Sequence, residues 1–196
     1  MKVVGLVLAA GASSRFGSQK LLAPLRGRPV LQHVLDTLAD AGIADVAVVL
    51  GADAAAMEHA LDWRAERRVI NPRPQDGLSS SLRVGLDAAA QDPATEAVLI
   101  TLGDQPELGR DVVRAVIEAA RTTELPFVRA RYADDDAPNP VLVRRAGWAR
   151  TAGIAGDRGL GPLLAAHPEL VAEVGVSGAN PDVDTRDDLE RLSGVS

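Results

Sequence analysis

The chain has 196 residues, of which 46% are hydrophobic and only 3% aromatic, with a formal net charge of −6. That length and apolar content suit one domain over residues 1–196 with a core of Val, Leu, Ile and Ala, and they exclude a disordered chain. The negative charge disfavours non-specific binding to nucleic acid. The lack of cysteine removes disulfides, thiolate metal sites and cysteine nucleophiles together, and fits a cytoplasmic setting.

Residues 3–8 form a continuous apolar run, β-branched at its start and bounded by glycine, as a buried central strand requires. The run is too short for a membrane span and lacks a signal-peptide layout, so no membrane partner is expected. A glycine-rich loop follows. Residues 30–41 then carry apolar side chains at helical spacing (Val30, Leu31, Val34, Leu35, Leu38). The pattern continues with a strand at 46–50, a helix at 54–61, a short strand at 68–71 and a helix at 80–90. A strand at 98–102 and a helix at 111–121 complete it. Such alternation predicts a mostly parallel sheet covered on both faces. Beyond residue 125 the pattern loosens. Strands at 127–131 and 141–143 flank an acidic loop, and a strand at 171–176 lies between helices at 160–166 and 187–192.

Four strings carry chemistry. In LAAGASSRFGSQKLL, residues 8–22, small residues let the backbone approach a ligand at the carboxyl end of the first strand. Arg15 and Lys20 supply cations for a polyphosphate, one as a planar fork and one as a point charge. The chain has only two lysines, Lys2 and Lys20, so a lysine kept in this loop hints that a compact ammonium is needed. The spacing matches neither GxxxxGK[ST] nor GxGxxG.

In VLITLGDQP, residues 98–106, a buried strand delivers Asp104 to the same rim, where a carboxylate can hold Mg²⁺ against phosphate. An ordinary turn would use the same residue types. In PDVDTRDDL, residues 181–189, Thr185 and Asp188 make a capping box for the last helix, which is a sufficient structural explanation of the string. Asp184 is nevertheless the best-placed second carboxylate for a metal. In NPRPQDGLSSSLRVGL, residues 71–86, Asn71 offers a donor and an acceptor to a base or sugar, and Gly77 to Ser81 lead into a helix. Ser79 or Ser80 serves equally well as its N-cap. His33, His59 and His167 lack ligand spacing, and residues 134–136 read as a solvated acidic loop.

These strings, in this order, resemble the MobA-like nucleotidyltransferase family, and within it the molybdenum cofactor cytidylyltransferases. LAAG is closer to the cytidylyl branch than to the LAGG of the guanylyl branch, and GDRG at residues 156–159 also fits the family pattern. The resemblance implies a three-layer α/β/α, Rossmann-related, GT-A-like fold. It implies nucleotide contacts from Leu8, Ala9, Ala10, Gly11, Arg15, Lys20, Asn71, Gly77, Ser79, Ser81 and Asp104. Arg15, Lys20 and Asp104 would be catalytic, and Mg²⁺ would be held by Asp104 and Asp184. The substrates would be CTP and a phosphorylated small molecule, with a delivery or acceptor enzyme as a possible partner.

One position departs from the family. Where it often has GHP, this chain reads Pro138-Asn139-Pro140, so Asn139 and Pro140 would meet the acceptor without a protonatable ring. The rival readings are a nucleotidyltransferase with another phosphorylated acceptor, an NAD(P)-dependent oxidoreductase of the nicotine blue oxidoreductase kind, and a non-catalytic nucleotide-binding module. The missing GxGxxG weighs against the oxidoreductase.

Overall fold

The computed structural model describes residues 1–11, 16, 19–135 and 139–194. Strands β1 (Val3–Ala9), β4 (Val46–Leu50), β5 (Arg67–Ile70), β6 (Ala97–Leu102), β7 (Phe127–Tyr132), β8 (Val141–Arg144) and β9 (Val171–Val176) form one sheet. Their order is β5-β4-β1-β6-β8-β7-β9. Only β8 runs against its neighbours, β6 and β7; the other pairings are parallel. A two-residue hairpin, β2 (Pro24–Leu25) with β3 (Arg28–Pro29), stands apart.

The two faces of β1 explain its unbroken apolar run. Val4, Leu6, Leu8 and Ala10 pack in one cluster with α3 (Leu78–Ala90) and α5 (Gly161–Ala166). Val7 and Ala9 pack in the other, with α1 (Val30–Ala41), α2 (Ala54–Ala60) and α4 (Arg110–Thr122). Leu189 and Leu192 of α6 (Arg186–Ser193) lean on its margin. The result is a three-layer α/β/α sandwich with a mostly parallel sheet, as the alternation predicts.

Local differences have tertiary causes. The sequence reading starts α3 at residue 80 with a serine cap; the helix starts at Leu78, and neither serine caps it. Its first amides are met from far along the chain: Ser79 N donates to Gly156 O at 3.0 Å and Leu78 N to the Asp157 carboxylate at 3.2 Å. This approach requires Gly77, whose φ is +87° and whose Cβ would lie 2.6 Å from Gly156 C. The 3₁₀ helix Arg145–Gly153 has no apolar periodicity and escapes sequence reading.

Parallel register aligns the carboxyl ends of the central strands. Ala9 pairs with Leu50, Leu8 with Leu102, and Leu50 with Ile70. The loops after β1, β4, β5 and β6 therefore share one rim, the usual ligand edge of an open α/β sheet. Leu99, fully buried on β6, tests the core beneath that rim. Leu99→Ala should cost about 2–5 kcal/mol in denaturant unfolding, with the m-value unchanged.

Candidate active site

Lys20 joins three distant segments at this rim. Its ammonium donates to Asp104 Oδ2 at 2.6 Å and to Asp184 Oδ1 at 2.8 Å. Asp104 arrives two residues beyond the end of β6. Asp184 is drawn in by its backbone: Val183 is fully buried, and its N–H donates to Asp104 O at 2.8 Å. The capping box is present too, with Asp188 Oδ2 accepting from Thr185 N at 2.8 Å and Thr185 Oγ1 accepting from Asp188 N at 3.2 Å. Capping is thus done by Thr185 and Asp188, while the Asp184 carboxylate turns to Lys20 and the two roles in this string are separate.

Burial pulls the Lys20 pKa down, but the Asp104 and Asp184 carboxylates outweigh it and hold it above the ordinary lysine value. Lys20 is therefore a fixed cation at any physiological pH. Asp182, two residues before Asp184, behaves oppositely. Burial and the charge of Asp104 push its carboxyl up to about 6, with Asp184 adding to the rise and a Gln105 hydrogen bond and Lys20 opposing it.

Two cavities adjoin on this rim, and the cluster lines the smaller. One, of about 440 Å³, is lined by Leu8, Ala9, Ala10, Gly11, Lys20, Gly77, Ser81, Asp104 and Asp184 among others. The second, of about 760 Å³, shares Leu8, Leu78, Leu102 and Asp157 with the first and extends past Gln105, Asn139, Arg158 and Asp182. The rim therefore offers room for two ligands side by side, with the Lys–carboxylate cluster in the wall of the smaller space.

The expected site residues divide accordingly. Leu8, Ala9, Ala10, Gly11, Lys20, Gly77, Ser81, Asp104 and Asp184 come together around the smaller cavity. Asn71 and Ser79 do not line it. Asn71 is buried behind it, donating from Nδ2 to Ser80 Oγ at 2.8 Å and Ser81 Oγ at 3.0 Å, so it orients a lining serine. Asn139 lines the larger cavity, and Pro140 does not. Arg15 and Pro138 lie outside the described residues.

The larger cavity is where sequence reading missed most. Asp134 and Asp135, expected as a merely solvated loop, line it, and Asp135 Oδ2 accepts from Asn180 N at 3.1 Å. Asp157, Arg158, Gln105, Asn180 and Asp182 line it as well, and Arg158 is the sole cation lining it among the described residues. The GDRG string held the one available signal. Gly156 and Gly159 both adopt positive φ, at +68° and +53°, and so clamp Asp157 and Arg158 in a tight turn against α3.

A divalent cation is the group this chemistry implies, and the donors fit it. Asp104 Oδ1 is buried without a hydrogen-bond partner among the described residues, and hard carboxylate oxygens suit Mg²⁺ or Mn²⁺. No group of three or more His, Cys, Asp or Glu able to hold a metal exists among the described residues. A two-carboxylate seat completed by substrate phosphates and water matches how Mg²⁺ is commonly bound. Among the described residues no helix is long and apolar enough to cross a membrane.

Two adjoining cavities, with a lysine and two carboxylates on the carboxyl rim of a three-layer sheet, place this chain among α/β proteins with a ligand edge at the strand ends. The MobA-like NTP transferase domain matches residues 5–171, and the chain belongs to that family of nucleotidyltransferases. Nicotine blue oxidoreductase of Paenarthrobacter nicotinovorans is 32% identical over 97% of this chain and 96% of its own length. The crystal structure of Rv0371c from Mycobacterium tuberculosis H37Rv superposes with a TM-score of 0.86 at 34% identity, covering 97% of this chain and 96% of that one. A manganese complex of Rv0371C from the same organism gives 0.84 at 31% identity, with 100% of each chain covered.

The raised carboxyl at Asp182 yields a prediction with a definite sign. A carboxyl whose pKa is higher folded than unfolded stabilises the fold below the unfolded value, and that contribution is lost as pH rises through the folded value. In metal-free protein, Asp182→Asn should therefore gain in melting temperature over the parent as pH rises from about 4 to 6, and the gain should level off above. A difference independent of pH would contradict the environment assigned to Asp182.

Proposed function

We propose that the chain is a Mg²⁺-dependent nucleotidyltransferase that moves a cytidylyl group from CTP to a phosphorylated small molecule such as the molybdenum cofactor, releasing pyrophosphate. The observation that carries this reading is the Lys20 bridge to Asp104 and Asp184 in the wall of the smaller of two adjoining cavities. The nucleotide belongs in the smaller cavity, against the backbone of Ala9, Ala10 and Gly11. The Ala9-Ala10 pair favours CTP. The acceptor belongs in the larger cavity, near Asn139.

In this reading an oxygen of the acceptor phosphate attacks the α-phosphorus, a new P–O bond forms, and the bond to the β-phosphate bridging oxygen breaks. Pyrophosphate leaves with the electron pair, and no covalent enzyme intermediate is needed. A divalent cation held by Asp104 and Asp184 supplies Lewis-acid neutralisation of the phosphates. Lys20, with Arg15 beside it in the sequence loop, neutralises the departing β- and γ-phosphates. Electrostatic placement of this kind does most of the work in phosphoryl-type chemistry.

The acceptor side poses a charge problem that one residue resolves. A phosphorylated acceptor enters a space lined by Asp134, Asp135, Asp157 and Asp182, and among the described residues only Arg158 opposes them there. Arg158 is therefore the residue placed to receive the acceptor phosphate, on a turn fixed to α3 by Asp157.

A panel of nucleoside triphosphates with molybdopterin and other phosphorylated acceptors, scored by pyrophosphate release, tests the reaction. CTP should give the highest kcat/KM, and Asp104→Asn should lower kcat on the order of a hundredfold or more. Wild-type rates in Asp104→Asn would remove the metal seat from the mechanism. With the acceptor that turns over, Arg158→Ala should raise acceptor KM roughly tenfold and leave the KM for CTP unchanged. An equal effect on both substrates would place Arg158 elsewhere.

A second reading draws on the oxidoreductase name of the Paenarthrobacter relative. It requires a dinucleotide site, for which the chain has no GxGxxG. Tight NADPH binding in the presence of EDTA, with no pyrophosphate release from any nucleotide, would select it.

A further inference from the structure

Lys20 bonds to both carboxylates of the proposed metal seat, through Asp104 Oδ2 and Asp184 Oδ1 at 2.6 and 2.8 Å. Its side chain is only 11% exposed, so the ammonium is held inside the cluster and is not a surface charge brushing against it. Removing the ammonium would take a shared cation from two carboxylates in a half-buried space, which is costly. Without nucleotide, the cluster is therefore kept together by Lys20. A divalent cation held by these two carboxylates would compete with the ammonium for them.

We propose that Lys20 is the resident counter-ion of the Asp104–Asp184 seat and excludes the divalent cation until a nucleoside triphosphate draws the ammonium onto its phosphates. Metal then enters with, and because of, the nucleotide. The inference rests on the metal reading of Asp104 and Asp184. Lys20 lines the same cavity as Ala9, Ala10 and Gly11, so a polyphosphate in that cavity lies within reach of the flexible lysine stem. The triphosphate supplies more negative charge than the two carboxylates that Lys20 gives up. The metal seat thus opens only when a substrate is present to use it, which disfavours occupation of the empty enzyme by stray cations.

Mn²⁺ binding to the full chain, followed by the electron paramagnetic resonance of free Mn²⁺ and by calorimetry, provides the test. Without nucleotide the parent should bind Mn²⁺ weakly, and Lys20→Met should bind it at least tenfold more tightly. Adding CTP should tighten Mn²⁺ binding strongly in the parent and much less in Lys20→Met. General electrostatic relief is screened at 0.5 M salt, where the Debye length is about 4 Å, whereas exclusion from the seat is not. The tenfold gain should therefore persist at that salt.

Unchanged or weaker Mn²⁺ binding in Lys20→Met, or a gain that vanishes at high salt, would overturn the proposal. No Mn²⁺ binding by the parent even with CTP would instead sink the metal reading beneath it. Should Lys20→Met fail to fold, the two lysines of the chain provide a route in the parent itself. With ¹³C-labelled lysine side chains, Mg²⁺ alone should leave the Lys20 signal in place, and CTP with Mg²⁺ should shift it. A full shift with Mg²⁺ alone would count equally against the exclusion.

Discussion

The constraint on which the rest of the site depends is the meeting of one ammonium with two carboxylates that lie 84 and 164 residues away in sequence. Three charged groups cannot be left half-buried unless they are matched closely. The fold meets this by parallel register. β1 and β6 end side by side, so the loop carrying Lys20 and the turn carrying Asp104 are neighbours by construction. Asp184 comes from the last stretch of the chain and has no strand to place it. Its position is fixed by Val183, buried in the core and hydrogen-bonded to the backbone of Asp104 itself.

The same economy governs the second ligand space. The amino end of α3, which could have served an anion, is occupied by Gly156 and Asp157. That contact sets Asp157 at the shared margin of the two cavities and Arg158 in the wall of the larger. One helix terminus therefore positions residues on both sides: Gly77 and Ser81 in the smaller cavity, and Arg158 in the larger. A polar lysine–carboxylate cluster on the small side and an acidic, apolar wall with one arginine on the other give the two spaces different chemistry.

Much of this was legible in the residues. Strands buried on both faces read as unbroken apolar runs, and α1 and α4 carry amphipathic spacing, so the three-layer arrangement followed from pattern alone. The LAAG and LGDQP strings pointed to the rim because each directly follows such a strand. What stayed hidden depends on contacts between distant segments. Nothing local reveals that Leu78 and Ser79 are satisfied by residues 156 and 157, so a serine cap was the natural expectation. Asn71 has the chemistry of a ligand contact but spends its donors on Ser80 and Ser81. Asp134 and Asp135 look like any solvated acidic loop until Asn180 is brought beside them. Arg15, central to the sequence reading, lies outside the described residues.

The central claim is that Asp104 and Asp184 form a metal seat which Lys20 vacates for nucleotide phosphates. The most direct measurement is anomalous scattering from crystals of the full chain grown with Mn²⁺ and a non-hydrolysable CTP analogue. A single manganese peak between the Asp104 and Asp184 carboxylates, with the Lys20 ammonium on the β- or γ-phosphate, is the predicted result. Manganese bound away from both carboxylates, with Lys20 still bridging them beneath an ordered nucleotide, would contradict it.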